Sequence, residues 1–480
     1  MSTVPTEKPL QGPQRIATPF SGYRKRDIPP PDPEITSSGP GTPLGEYMRR
    51  FWQPVCFSEQ LGDLPHPIRI LGEDLVAFRD GSGHVGVLHR HCSHRGASLE
   101  YGIIQEHGIR CSYHGLHYAT DGTILDAPGE RDRGARLRTR LCQGAYPAFE
   151  RDGLVFAYLG APEGRPPFIE YDAFDKAGET RLLPFSNVFP CNWLQAIDNI
   201  ADQMHTSILH NPEFLYGGKV PPDVDWERMA LRYFSALPVL DYVPVRDGTA
   251  IVWMAGRRVH PERVWIRMND LIVPNISQHA SLFEDGSRRR LFHRVHMSRW
   301  YVPVDDTHSI ILGWRMFGPE IDPLGKGDES NVGWDKMDFL GGQVGDRSYD
   351  EGRRLPGDWE VIVSQRPIAV HALEHPLESD VGVYLFRKLV REAIRGKNAG
   401  ASPERMHQRA RANKASYCYT QNNVLEIRQR PRDEEDRAVI RAVGRSVVDI
   451  MAQADGLDVD ERRRFVEQRL AELERRAAEM

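Results

Sequence analysis

Absences narrow this chain before any motif is read. Its 480 residues contain no apolar run near the ~20 residues that a membrane-spanning helix needs. The opening stretch MSTVPTEKPLQGPQRIATPF has no continuous apolar segment, so no secretory leader is expected. Six cysteines are too few for a disulfide-built scaffold. Thiols this sparse suit metal binding or catalysis in a reducing cytoplasm, the expected compartment. Excess positive charge is also missing: 62 Lys and Arg against 67 Asp and Glu leave a net charge of −5, without the basic footprint of a nucleic-acid binder. No internal repeat is present. No GxGxxG follows a strand-like run, so a nicotinamide or flavin domain within the chain is not expected. What remains is an ordinary globular composition, long enough for about three domains.

The texture changes along the chain. Residues 1–42 are rich in Pro and Gly (Pro29-Pro30-Pro31, Pro33, Gly39, Gly41) and read as an extended arm. Residues 43–165 open with a short helix, Leu44 to Trp52, and then turn to β: Ile68 to Ile70, Leu75 to Phe78, Val85 to Leu88 and Leu154 to Tyr158 read as strands separated by glycines. A Pro-rich link, Pro162 to Pro167, leads into residues 166–400, where strand-like runs (Ala250 to Met254, Ile310 to Trp314) mix with helical ones (Asp358 to Val363, Val381 to Ile394). Residues 401–480 carry apolar residues at helical spacing, among them Val443, Val447, Ile450, Leu470 and Leu473, and read as a pair of amphipathic helices. The fold class is α+β: a small antiparallel β domain, a larger α+β domain with a sheet, and a helical C-terminal tail.

Two loops carry the first constellation. Cys92-Ser93-His94 and Cys111-Ser112-Tyr113-His114 each offer one thiolate and one imidazole, and each is followed by glycine nearby, Gly96 and Gly115. Two Cys and two His on paired loops suit a 2Fe–2S cluster with Cys on one iron and His on the other. Exchanging two thiolates for neutral imidazoles raises the potential to roughly −150 to +300 mV, from about −400 mV for an all-cysteine cluster. Tetrahedral zinc accepts the same donors, although zinc fingers usually present a Cys pair and then a His pair. His91, His107 and His117 fall outside the pattern, and Cys56, Cys142, Cys191 and Cys418 read as structural thiols.

The second constellation is Asp202, His205 and His210 in CNWLQAIDNIADQMHTSILHNP. Two histidines and a carboxylate form the facial triad of a non-haem Fe(II) oxygenase, which leaves positions open for dioxygen and substrate. On one regular helix His205 and His210 would lie about 140° apart. The helix is therefore expected to bulge or end between them, and Asn211-Pro212 marks an ending. Two ordinary histidines at a helix end are the alternative.

With both patterns in this order, and with GPGTPLGEYMRRFWQPV, CSHRGASLEYG, RCSYHG, NWLQAIDNIADQMHTSILH and DWEVIVSQRPI, the chain resembles the α subunits of Rieske non-haem iron ring-hydroxylating oxygenases. The likeness is to the phthalate-dioxygenase-type branch, which includes aromatic-acid O-demethylases, and it runs from about residue 38 to 395. The resemblance implies a Rieske β domain and a helix-grip catalytic domain. It implies a cluster on Cys92, His94, Cys111 and His114, and a mononuclear iron on His205, His210 and Asp358, with Glu360 as the fallback third ligand. Asp202 matches a bridging aspartate that links a cluster histidine of one subunit to an iron-bound histidine of the next, which implies a ring-shaped homo-oligomer, expected to be a trimer. Electrons would come from NAD(P)H through a separate reductase, directly or through a ferredoxin, with O2 as co-substrate. Two positions depart from the pattern: Leu116 where Trp is usual, and Arg366 where Gly is usual.

The substrate is read less directly. Asp198-Asn199 before Asp202 resembles the wording of methoxy-aromatic O-demethylases, which would place Asn199 near the iron and the substrate. Asn on a helix is otherwise solvated or capping. An aromatic carboxylic acid is the expected substrate, with O-demethylation and ring hydroxylation both open. A non-aromatic substrate, a pure Rieske electron carrier and a zinc-stabilised binding protein are the competing readings.

Overall fold

A computed structural model of the chain describes residues 19–176, 179–222, 234–398, 400–412 and 416–479; residues 1–18 of the expected arm lie outside them. The remainder of the arm is not simply extended. Asp32 accepts the Glu34 N–H and caps a single helical turn, Pro33–Thr36, because proline at a first helical position loses no hydrogen bond. Ile35 is fully buried, and the Ile35 and Thr36 carbonyls accept from Trp193 Nε1 and Asn192 Nδ2. This end of the arm is therefore part of the core. Helix α1 (Pro43–Met48) follows, capped by Thr42.

The first domain stacks three small antiparallel sheets. One joins β1 (Trp52–Phe57), β11 (Leu154–Tyr158) and β10 (Ala148–Arg151). The second orders β2 (His66–Ile70), β3 (Glu73–Arg79), β4 (Val85–His89) and β9 (Ala145–Tyr146). The third holds the short strands β5 (Ile103–Ile104), β6 (Ile109–Arg110), β7 (His117–Tyr118) and β8 (Ile124–Asp126). The Cys–His loops lie before β5 and between β6 and β7, over a core that includes Leu99, Ile109 and Leu116. Leu116 is 7% exposed, so at this departure from the family wording an aliphatic side chain fills the core beneath the loops.

The second domain is built on an eight-stranded antiparallel sheet in the order β12 (Arg181–Phe189), β18 (His308–Phe317), β17 (Met297–Asp305), β16 (Ile276–His279), β15 (Arg263–Ile272), β14 (Ala250–His260), β13 (Val239–Val245). The tail adds more than helices. Strand β19 (Gln421–Glu426) pairs with Arg263 to Met268, while the other end of β15 pairs with β16. Helical periodicity does not reveal this six-residue polar strand, QNNVLE.

The sheet's two faces bury different chemistry. Val252, Met254, Val264, Ile266 and Met268 face outward and are sealed by the tail helices α5 (Asp433–Gln453) and α6 (Val459–Glu479). Trp253, Arg267, Asn269, His279 and Arg299 face inward, towards helices α2 (Trp193–Ala201), α3 (Asp358–Val363) and α4 (Val381–Ile394). No helix is long and apolar enough to cross a membrane among the described residues.

Candidate functional site

The two Cys–His loops are built alike. In the first, the Cys92 N–H donates to Ala97 O and the Gly96 N–H to Cys92 O, both at 2.8 Å; in the second, Cys111 and Gly115 make the same pair of bonds at 2.8 and 3.0 Å. Gly96 and Gly115 sit at φ +74° and +75°, where an L side chain costs about 1–2 kcal/mol. A Cβ at Gly115 would also meet Pro128 Cγ at 2.7 Å, whereas at Gly96 nothing lies within 4 Å. Gly115→Ala is accordingly expected to lower cluster content several-fold and Gly96→Ala much less, measured as iron and acid-labile sulfide per chain. Equal content in the two variants would contradict the steric difference.

The turns point both thiols inward and both imidazoles outward. Cys92 and Cys111 are 4% and 3% exposed. The His94 and His114 rings are exposed, with centroids 4.6 Å apart. Burial, with Cys92 alongside, pushes the Cys111 thiol up, although the Tyr113 and His114 N–H groups are aimed at its sulfur. Two adjacent buried thiols with N–H donors fit a bound metal centre, which deprotonates such sulfurs outright. Tyr118 Oη lies 3.0 Å from Cys92 Sγ. Gln143 accepts from the Ser93 N–H and donates to the His89 and His91 carbonyls, fixing the first loop.

The second constellation forms where α2 ends. Its last helical residue is Ala201, Asp202 turns the chain to φ −87°, ψ 103°, and His205 falls on a separate 3-10 turn, His205–Ser207. The Asp202 carboxylate caps that turn, accepting from Met204 N at 3.0 Å, while the Asp202 carbonyl lies 2.5 Å from His205 Nδ1. That contact places the proton on Nδ1 and leaves Nε2 as the electron-pair donor. Nε2 of His205 and of His210 approach the two oxygens of Asp358 at 3.3 and 3.4 Å. One donor atom from each of the three residues lies within 4.8 Å of the others. Burial alone would raise the Asp358 carboxyl; His210 and His205 outweigh it and hold the group well below the usual carboxylate range. Two imidazoles and a carboxylate converging in this way fit a mononuclear iron.

Asp358 is the first residue of α3, after the cap Gly357. Asn199 Nδ2 donates to its Oδ1 at 3.2 Å, and Gln343 Nε2 donates to its Oδ2. Asn199 thus meets the carboxylate from α2, and Gln343, which sequence reading missed, meets it from a loop. Glu360, the fallback ligand, is engaged elsewhere: it accepts from the Gly357 N–H at 2.9 Å and pairs with Arg347. Arg366 has φ +91°, a conformation that glycine takes without strain. This chain takes that conformation with an arginine.

Space lies on both sides of the triad. A small cavity of about 60 Å³ lies between Asp358, His205 and His210 and the inward sheet face, lined there by Trp253, Asn269 and Arg299. An open concavity of about 720 Å³ reaches Asp202 and His205 from the protein surface, between α2, α3 and α4.

Paired Cys–His loops on a β domain, together with a two-histidine, one-aspartate group beneath a buried sheet wall, are the donor sets of a two-centre, dioxygen-using iron enzyme. The Rieske 2Fe-2S domain family matches residues 51–141. The chain is 49% identical to the oxygenase subunit of tert-butanol monooxygenase / tert-amyl alcohol desaturase from Aquincola tertiaricarbonis, over 95% of this chain and 97% of that protein. It is 35% identical to the phenoxybenzoate dioxygenase α subunit of Ectopseudomonas oleovorans, over 78% and 88%. The solved structure of Pseudomonas putida CBB5 NdmB shares the fold, with a TM-score of 0.53 at 19% identity over 78% of this chain and 98% of that one. The chain therefore belongs to the Rieske non-haem iron oxygenase α subunits. It is an oxidoreductase that carries a Rieske 2Fe–2S cluster and a mononuclear iron, and it is the oxygenase component of a system with a reductase. That membership sets aside the zinc-stabilised binding protein and the free electron carrier.

Proposed function

We propose that this oxygenase acts on a compact branched alcohol of the tert-butanol kind. The cavity beside the triad carries the reading. At about 15 Å³ per water-sized occupant, about 60 Å³ takes some four such units, a space that suits a compact molecule such as tert-butanol. The high identity to a tert-butanol monooxygenase subunit along nearly its whole length supports the same choice. In this reading Cys92, His94, Cys111 and His114 hold the cluster, and His205, His210 and Asp358 hold the iron. When bound, these groups supply single electrons and dioxygen activation.

The side chains do the positioning. Asp202 fixes the His205 tautomer through its carbonyl and keeps its carboxylate, 33% exposed, in the wall of the concavity. Asn199 and Gln343 orient the Asp358 carboxylate. A closed ring, read as a trimer, would seat the exposed His94–His114 tip of one copy in the concavity of the next. Apolar residues exposed near both surfaces support this: Tyr101, Ile103 and Tyr113 around the loops, Leu215 and Leu377 at the concavity. Residues 43–165 are then the electron-entry unit, and 166–400, completed by the tail, the catalytic one.

An aromatic carboxylic acid, hydroxylated or O-demethylated, is the second reading. The observation that favours it is the pair of buried arginines lining the cavity, Arg267 and Arg299, neither in an ion pair with a carboxylate among the described residues. Oxygen uptake with reductase and NAD(P)H separates the two. Stimulation by tert-butanol, matched by a hydroxylated product, is expected. Stimulation by phenoxybenzoate or methoxybenzoate, with none by tert-butanol, would replace the first reading with the second.

A further inference from the structure

On the strand side of the small cavity the acceptors are used up and donors are left over. Asn269 Oδ1 accepts the Ala280 N–H at 2.9 Å, which makes Asn269 Nδ2 the donor to His279 Nδ1 at 3.0 Å. Burial pushes His279 well below its ordinary pKa, so the ring is neutral and its remaining proton is on Nε2. That proton goes to Ser277 Oγ at 2.7 Å. Ser277 Oγ also lies 3.0 Å from Tyr301 Oη, a hydroxyl that the Arg299 guanidinium contacts as well. One backbone N–H at the start of the row sets its polarity as far as Ser277.

Arg299 stands at the other end. Its Nε donates to Met297 Sδ at 2.8 Å, and its guanidinium lies over the Phe185 and Phe339 rings at 5.9 and 5.8 Å. It is 5% exposed and shares the cavity wall with Asp358. It forms no ion pair among the described residues. A buried guanidinium with only neutral partners is expensive to keep unless something else satisfies it. Arg267 differs: its Nη1 and Nη2 donate to the Ser281 and Ala280 carbonyls at 2.6 and 2.8 Å, which ties it to the wall.

We propose that Arg299 binds the substrate's oxygen atom and so determines which carbon faces the triad. The proposal rests on the reading of this cavity as the substrate site. A ligand here has to bring an acceptor, because the wall offers donors. A hydroxyl oxygen accepts from Arg299. Its own proton can go to the amide oxygens of Gln343 or Asn199, whose nitrogens are turned to Asp358. A carboxylate would use the same guanidinium through two oxygens. The shared chemistry is an oxygen acceptor on a compact branched carbon, of which tert-butanol is a neutral example and pivalate an anionic one.

The test is calorimetric titration of the anaerobic holoenzyme with each compound, in wild type and Arg299→Gln. Weaker binding by ten-fold or more of whichever compound the wild type binds is expected. In turnover the loss should fall on KM rather than on kcat, the signature of a lost ground-state contact. Tighter wild-type binding of tert-butanol supports the alcohol, and tighter binding of pivalate supports the acid. Both leave the role of Arg299 intact, so its failure and that of the alcohol reading are distinguishable. An unchanged dissociation constant in a variant with wild-type iron content overturns the proposal. If Arg299→Gln does not fold, Arg299→Lys, which keeps the charge but loses the fork, and Tyr301→Phe are read in the same way: a several-fold loss in Arg299→Lys exceeding that in Tyr301→Phe supports it, and no loss in either overturns it.

Discussion

Asp358→Ala abolishes substrate-dependent oxygen uptake, by at least ~10²-fold, and leaves the red-brown chromophore of the β domain in place: this is the largest effect expected of a single substitution. Removing groups that merely orient a metal's ligands typically costs 10–100-fold, and Asp358 is proposed as a ligand itself. Its two oxygens are the only carboxylate atoms near His205 Nε2 and His210 Nε2 in the one three-residue metal-ligating group found among the described residues. Glu360 cannot move in without abandoning Arg347 and the Gly357 N–H. Iron analysis should fall from about three per chain to about two, with sulfide unchanged at about two. Full turnover in the variant would mean that the third ligand lies elsewhere.

Asp338→Ala is expected to destabilise the catalytic domain by about 3–5 kcal/mol. Arg315 Nε and Nη2 donate to the two Asp338 oxygens, both at 3.0 Å, and both side chains are 0% exposed. Deleting the acid leaves a guanidinium in the core without its hydrogen-bonded counter-charge, with only the more distant Asp322 and Glu329 acting on it. A loss of that size is a large part of the ~5–15 kcal/mol that holds a typical domain together. The urea midpoint of tryptophan fluorescence should fall sharply at constant slope. The paired replacement Arg315→Met/Asp338→Leu should recover most of the loss, since a matched apolar pair removes both charges. A single variant within 1 kcal/mol of wild type would show that the pair is not holding the sheet to its loop.

The parts legible in the sequence were those written locally. Cys92, His94, Cys111 and His114 occupy two short loops, and their spacing alone restricts the chemistry. His205 and His210 could be read as not sharing one regular helix, which would set them on different sides, although the helix ends at Ala201, before both, and not between them. The inner wall of the site was not legible. Along β15, Arg267 and Asn269 alternate with Ile266 and Met268, a pattern that normally places polar residues in water. Here both faces are buried, and the polar one encloses a cavity. Gln343 gave no signal at all, since it comes from a loop far from either motif. Strand β19 was hidden for a related reason: its polar residues read as surface, yet Asn422 and Asn423 are fully buried.

That last strand also orders events in time. Trp265 and its partner Asn422 are 157 positions apart, and every residue of the proposed iron triad precedes β19 in the chain. During synthesis the triad has left the ribosome while one edge of β15 is still bare. An unpaired edge of this kind is a template for wrong pairing, and closing so long a loop is slow. The emerging chain therefore carries the three proposed iron ligands before the sheet above them has its last strand. Only that late segment converts an adhesive, open edge into a paired one.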